Sequence, residues 1–174
     1  IALFDVTDVA NPIEKAKYEV KEEWSDSNAL YDPKAFLFNK EKELLVLPVT
    51  YSEPMEQVGD GVSRYWNYNY WQGAFVFKIN DDEISLRGKI DHDDNVSQDY
   101  YWNAAVQRSL FMDNTLYTIS QKMVKANSLT DLSEINSVEL PYEQIYYGIY
   151  KGGVGPTEVR GSSVDVSVPE GAVA

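Results

Sequence analysis

The chain has 174 residues, of which 13% are aromatic, so we expect a packed core rather than a disordered polypeptide. Its formal net charge of -13 makes nucleic acid a poor partner, because phosphate backbones are bound by cationic surfaces. The absence of cysteine excludes disulfides and thiolate metal sites, and no apolar run reaches the roughly 20 residues that cross a bilayer.

The first predicted elements are two short strands over residues 1–6 and 13–20, separated by a turn that contains Asn11 and Pro12. Pro12 has no backbone donor and disfavours helix at the residue before it, which is typical of a turn. We interpret residues 1–20 as the last two strands of a four-stranded unit. The polar stretch 21–32 is predicted to be a connection.

The central unit, residues 33–92, contains four predicted strands at 34–38, 43–51, 73–79 and 84–90. Each is rich in Val, Ile, Phe and Tyr and is bounded by Asn, Asp, Gly or Pro, which is typical of strands. Residues 52–72 are too long for a hairpin loop, where 2–5 residues are usual, so we predict an insertion there.

The same pattern returns over residues 106–140, with predicted strands at 107–112, 115–120, 123–127 and 133–140. Aligned by eye, the third strands of the three units place Leu3, Phe75 and Val124 at equivalent positions. Four strands repeated every 40–50 residues or so, without an apolar helical stripe, predict an all-β chain of propeller-type antiparallel blades. Residues 142–174 are predicted to be a C-terminal extension, with a closing strand and a tail.

Several stretches together resemble a family of secreted proteins, mostly archaeal, that carry a C-terminal β-propeller domain. The resemblance covers roughly residues 1–141 and includes Leu3-Phe-Asp-Val-Thr-Asp, Asp32-Pro-Lys-Ala-Phe-Leu-Phe, Trp71-Gln-Gly-Ala-Phe-Val-Phe and Leu116-Tyr-Thr-Ile-Ser. It implies a propeller fold and an extracellular or cell-surface location. Because the chain holds about two and a half blades, we expect the remaining blades to come from the same or another polypeptide.

The acidic loop after the central unit is a candidate calcium site. Its oxygen-bearing side chains alternate along the chain, a spacing that lets a loop wrap a hard cation: Asp91, Asp93, Asn95, Ser97 and Asp99. Val96 stands where an EF-hand loop needs glycine, and a solvated acidic connection is the alternative. His92 is the single histidine, so a multi-histidine zinc site is excluded, and we expect it to be exposed in this loop.

Two aromatic stretches are candidate ligand-binding residues. They are Tyr65, Trp66, Tyr68, Tyr70 and Trp71, and, before the third unit, Tyr101 and Trp102. Aromatic rings with polar neighbours are typical of carbohydrate platforms and of protein interfaces, and local packing is the third interpretation. We therefore predict a binding or assembly module with a protein or glycan ligand and a possible Ca²⁺. A glycan hydrolase or lyase that uses carboxylates in an aromatic-lined groove is the alternative.

Overall fold

A computed structural model describes residues 1–22, 24–54, 68–92 and 103–141, which form three antiparallel sheets. The first sheet pairs β1 (Ala2–Asp5) with β2 (Ile13–Lys17). The second contains β3 (Trp24–Asp26), β4 (Leu37–Asn39), β5 (Leu44–Pro54), β6 (Tyr68–Ile79) and β7 (Ile84–Asp91). The third contains β8 (Arg108–Met112), β9 (Thr115–Ile119), β10 (Met123–Ser128) and β11 (Glu134–Glu139).

This arrangement confirms the all-β prediction with antiparallel meanders. The third sheet has the strand order β11-β10-β9-β8, so each strand pairs with its neighbour in sequence. In the second sheet, β4, β5, β6 and β7 follow the same order, and the additional short β3 pairs with the far end of β5. Within the described ranges, no helix is long and apolar enough to cross a membrane.

Three details of the second sheet differ from the sequence prediction. Residues 24–26 form β3 inside the predicted polar connection, because Trp24 to Asp26 pair with Thr50 to Ser52. The first predicted strand begins later, at Leu37, since Pro33–Ala35 form a 3-10 turn that Asp32 caps. Strands β5 and β6 also extend into the predicted insertion, where their pairing continues to Pro54 and Tyr68.

Apolar side chains fill both faces of the second sheet. The face toward the first sheet includes Leu45, Phe75 and Phe77, and it contacts Leu3, Ala16 and Tyr18. The face toward the third sheet includes Leu44, Val46, Val76 and Ile90, which pack with Leu116 and Leu129. A sheet that is buried on both faces has nearly continuous apolar strands, which is why β5 and β6 lack a polar alternation.

A β-bulge occurs at the same place in all three sheets, between the last two strands of each. The residue left unpaired is Lys15 in β2, Arg87 in β7 and Ile135 in β11. The residues paired just before the bulges are Leu3, Val76 and Ala126, which are therefore structurally equivalent. The alignment by eye matched Leu3 with Phe75 and Val124, so it was wrong by one residue in the second sheet and by two in the third. In the second sheet the apolar run of β6 is buried on both faces, and it does not define a register because a one-residue shift leaves it apolar.

An aromatic cluster, a buried histidine and an exposed apolar segment

The second sheet carries a cluster of three rings near the end of β5 and the start of β6, formed by Tyr51, Trp71 and Phe75. Tyr51 pairs across the strands with Trp71, and Phe75 lies on the same face of β6 four residues later. Tyr51 stacks on Trp71 with ring centroids 5.2 Å apart and an interplanar angle of 20°. Trp71 and Phe75 are tilted, with centroids 5.3 Å apart. The rings therefore contact one another rather than standing separately.

Gly73 provides the space in which Trp71 lies. A Cβ atom at Gly73 would stand 2.7 Å from Cη2 and 2.8 Å from Cζ2 of Trp71, and it would also collide with the carbonyl oxygen of Ile90. Real Cβ atoms do not approach other atoms that closely. A residue with a side chain at position 73 would displace the indole or separate β6 from β7.

Lys89, from β7, covers the cluster. Its Nζ atom lies 4.5 Å from the Tyr51 ring centroid, 4.8 Å from that of Phe75 and 5.3 Å from that of Trp71. The same ammonium donates a hydrogen bond of 2.9 Å to the Tyr51 hydroxyl. Tyr51 and Phe75 are buried. Ring faces that a sugar would need are thus already occupied by other rings and by a cation, which favours the packing interpretation for this cluster.

The predicted ligand-binding residues are placed as follows. Trp71 belongs to the cluster, whereas Tyr70 is 44% exposed and points to the opposite face of β6, because neighbouring strand residues alternate. Tyr68 begins β6. The two described side chains therefore do not present one shared surface. Tyr65, Trp66, Tyr101 and Trp102 lie outside the described residues, so the role of the whole set stays a prediction.

Of the predicted calcium ligands, Asp91 is the last residue of β7 and is partly buried. Asp93, Asn95, Ser97 and Asp99 lie outside the described residues. Among the residues that the structure does describe, no group of three or more His, Asp or Glu side chains is arranged to hold a metal ion. The calcium site stays a prediction.

The expectation of an exposed loop histidine was wrong. His92 is 1% exposed, and it continues β7 into the contact between the second and third sheets. Its Nδ1 atom lies 2.9 Å from Ser120 Oγ and its Nε2 atom 2.8 Å from Thr118 Oγ1. Thr118 lies in β9 and Ser120 directly follows that strand, so the imidazole joins the second sheet to the third at the start of the acidic loop. The surrounding acidic sequence had suggested solvent exposure, and only the contact between sheets removes it.

Sequence reasoning also missed an exposed apolar segment, residues 30–38, between β3 and β5. Four large apolar side chains stand within nine residues and are mostly exposed: Leu30 at 72%, Tyr31 at 77%, Phe36 at 51% and Phe38 at 49%. Their signal was present in the sequence, but the last part of the segment was interpreted as a core strand. Exposed apolar groups concentrated in this way are typical of interaction sites.

Polar side chains hold this apolar segment in place. Ser27 and Asp32 cap its two 3-10 turns, with Ser27 Oγ accepting from the Ala29 amide and Asp32 Oδ1 accepting from the Lys34 amide at 2.9 Å. Asp32 also forms an ion pair with Arg108 of the third sheet. The Lys34 amide, and then the Arg108 guanidinium, lower the pKa of Asp32 from its ordinary value. The segment is therefore fixed at both turns.

Comparison with known proteins agrees with the architecture. Residues 1–132 match the family described as beta propeller domain. An uncharacterized protein of Methanocaldococcus jannaschii is 31% identical to this chain over 120 residues. That alignment covers 69% of this chain and 14% of the length of the relative, so the chain spans a small part of that protein. No solved structure gives a significant match.

Proposed function

This chain belongs to the beta propeller domain family, and from that premise we propose that it is an extracellular or cell-surface module that binds a protein. The observation that carries the proposal is the apolar segment, residues 30–38. The cell-surface location is supported by the resemblance to secreted propeller proteins and is compatible with a chain free of cysteine.

A protein ligand fits this segment better than a glycan does. The exposed groups are those of Leu30, Tyr31, Phe36 and Phe38, of which only the tyrosine carries a polar atom. Sugar hydroxyls need hydrogen-bonding partners, whereas apolar side chains of a protein gain about 1.5–3 kcal/mol each when they are fully buried. Three of the four groups are aromatic, and aromatic residues are enriched at the centres of protein interfaces.

The fixed geometry of the segment adds to the proposal. Its backbone is held by two side-chain caps and by the ion pair from Asp32 to Arg108, so little conformational freedom remains to be lost on binding. Segments that are ordered before they meet a partner bind more tightly, because the ordering entropy is not taken from the binding free energy. An apolar segment without such restraints would be expected to fold back on its own core.

The proposal is tested by photo-crosslinking in the native polypeptide at the surface of the cells that make it. A photoreactive phenylalanine analogue replaces Tyr31, and the same analogue replaces Val9, which is 85% exposed and lies in the turn between β1 and β2, as the matched control. We expect a covalent adduct with a second protein at position 31 and none at position 9. Adding Leu30→Ser and Phe36→Ser should reduce that adduct about tenfold or more, as the loss of two buried apolar contacts requires.

Three outcomes would contradict a protein ligand. A carbohydrate adduct at position 31 would favour the glycan-binding or glycan-active alternative. An adduct within the same polypeptide would mean that the segment is covered by other parts of its own fold. Equal labelling at positions 31 and 9 would show that exposure alone determines the reaction.

A calcium ion bound by the loop that starts at Asp91 belongs to the same proposal, because alternate oxygens there suit a hard cation. About 5 mM calcium, which saturates weak extracellular sites, should raise the melting temperature of the parent. The double variant Asp91→Asn/Asp93→Asn should lose that rise. The control Asp81→Asn/Glu83→Gln makes the same change in charge at an exposed turn and should keep it. A calcium response in the first variant equal to that of the parent would remove the site.

A further inference from the structure

The short strand β3 adds a row with two large aromatic side chains to the second sheet. Trp24 of β3 pairs with Ser52 of β5, and Ser52 pairs with Tyr70 of β6. Because residues directly opposite in antiparallel strands have their side chains on one face, the two aromatic side chains flank Ser52. Trp24 is 47% exposed and Tyr70 is 44% exposed, whereas Ser52 is 4% exposed. We call these three residues the aromatic row; two strand spacings of about 4.8 Å separate its aromatic members.

The next row on the same face is polar. Asp26 pairs with Thr50, and Thr50 pairs with Gln72, so these three side chains also lie side by side. Each lies two positions from a member of the aromatic row along its own strand, which places both rows on one face. Asp26 Oδ1 accepts from the Ser27 amide at 2.8 Å, and this uses one of roughly four acceptor positions of the carboxylate. We call Asp26, Thr50 and Gln72 the polar row.

Gln72 is the unusual member of the polar row. It is 4% exposed, and within the described ranges neither atom of its side-chain amide has a hydrogen-bond partner. Buried polar side chains are almost always hydrogen-bonded, because an unpaired amide lowers the stability of the fold. Ala74, two residues further along β6, packs in the apolar core on the same face, so an apolar side chain at position 72 would suit the fold better. The amide is explained by a bound group that pairs with both of its polar atoms.

We propose that the aromatic row and the polar row bind a neutral glycan. Its C–H groups lie against Trp24 and Tyr70, because aromatic faces suit sugar C–H groups. Its hydroxyl groups pair with the Gln72 amide and the Asp26 carboxylate; the amide donates and accepts side by side, which matches two neighbouring hydroxyls. Gln72 is enclosed without a ligand, so we expect the exposed Tyr70 side chain to turn aside when the sugar enters. The inference goes beyond the proposed protein ligand, since it uses none of the residues of the apolar segment.

The charge of the site favours neutral sugars over acidic ones. Asp26 brings a negative charge to the polar row, and the whole chain has a formal net charge of -13. A uronic acid or a sulfated sugar would place a second negative charge beside this carboxylate, and like charges at short range repel each other. Sugar hydroxyls instead donate hydrogen bonds to the carboxylate. We therefore expect a polymer of uncharged hexoses or N-acetylhexosamines.

Isothermal titration calorimetry of the native polypeptide tests the site with defined sugars. The probes are oligosaccharides of glucose, mannose, galactose and N-acetylglucosamine, together with oligogalacturonate as the charged comparison. We expect at least one neutral oligosaccharide to bind, and to do so about tenfold or more tightly than oligogalacturonate. Trp24→Ala should weaken that binding about tenfold, because it removes a stacking surface. Phe4→Ala is the matched control, since Phe4 is 49% exposed in the first sheet, and it should change the affinity by less than about twofold.

Gln72→Met is the most informative variant, because it removes the amide and is expected to stabilise the unbound fold. A loss of affinity of about tenfold or more in this variant therefore could not come from unfolding. Parent-like affinity in Gln72→Met would overturn the proposal, and so would a native polypeptide that binds none of the neutral oligosaccharides. Equal losses in Trp24→Ala and Phe4→Ala would also overturn it. None of these results depends on crosslinking at position 31, so the two proposals fail separately.

Discussion

Replacement of Gly73 by alanine tests the packing of the aromatic cluster against a matched glycine. A Cβ at position 73 meets the carbonyl oxygen of Ile90, which belongs to the paired backbone of β7, and two atoms of the Trp71 ring. A Cβ at Gly88 meets only Cδ1 of Leu132 at 2.7 Å, with the next atom of that residue at 4.0 Å. Both glycines lie in strands of one sheet, so their intrinsic preferences are alike.

The two substitutions should differ in magnitude. Overpacking that forces the backbone or a ring to move costs about 1–3 kcal/mol, and the contact of Gly73 with backbone atoms places Gly73→Ala toward the upper end. In Gly88→Ala the end of a flexible leucine can turn aside, and the stiffer unfolded chain returns about 0.4–1 kcal/mol. For a chain of this size we expect Gly73→Ala to lower the melting temperature by about 4–10 °C. Gly88→Ala should change it by no more than about 3 °C.

Urea unfolding followed by circular dichroism measures both free energies of unfolding, and the folded-state tryptophan emission includes Trp71 among the four tryptophans of the chain. Gly73→Ala should also change that emission, because the indole leaves its position against Tyr51. Equal destabilisation by the two alanines would refute this account of β6. So would a Gly73→Ala variant as stable as the parent, since it would mean that the strands are not as close as described.

Three further predictions concern single side chains, each measured by urea unfolding. Lys89→Met keeps the aliphatic stem but removes the ammonium from the three rings, so it should lower the free energy of unfolding by about 0.5–1 kcal/mol. Lys89→Arg keeps a cation over the rings and should retain most of the parent's stability. An unchanged free energy of unfolding in Lys89→Met would contradict the cation–ring contact. Gln72 is 4% exposed, and neither atom of its side-chain amide has a hydrogen-bond partner in the part of the chain that the structure describes. Gln72→Met should therefore raise the free energy of unfolding by about 1–3 kcal/mol. A destabilised variant would reveal a partner for the amide. The pKa of Asp32 is lowered in the folded state, so the stabilisation from its charge is present above the ordinary pKa of about 4 and is lost as the pH falls through the lowered pKa. Asp32→Asn should therefore have a lower free energy of unfolding than the parent at pH 7 and the same value at about pH 2. A difference that persists in acid would refute the role of the charge.

Strand positions could be predicted from the sequence because they depend on local signals. The hairpin turns at Asn80 and Asp113, and the ends of the strands next to them, appear as predicted. The bulges could not be predicted, since Lys15, Arg87 and Ile135 share no residue type. What makes these positions equivalent is the geometry of pairing, which a single sequence does not record.

The candidate sites were harder to predict because burial depends on contacts between sheets. His92 was expected to be exposed from its acidic neighbours, but Thr118 and Ser120, more than 25 positions away, enclose its ring. Trp71 and Tyr70 belonged to one aromatic stretch in the sequence, and the alternation of β6 separates them. The apolar segment carried residues typical of a core, and its exposure follows from turns set by Ser27 and Asp32.

The most direct test of the account is a crystal structure of the native polypeptide. We expect residues 1–141 to keep the pairings described here within a ring of four-stranded blades, with β1 and β2 as the last two strands of one blade. A native structure in which β1 and β2 form a separate hairpin, outside any four-stranded blade, would contradict it.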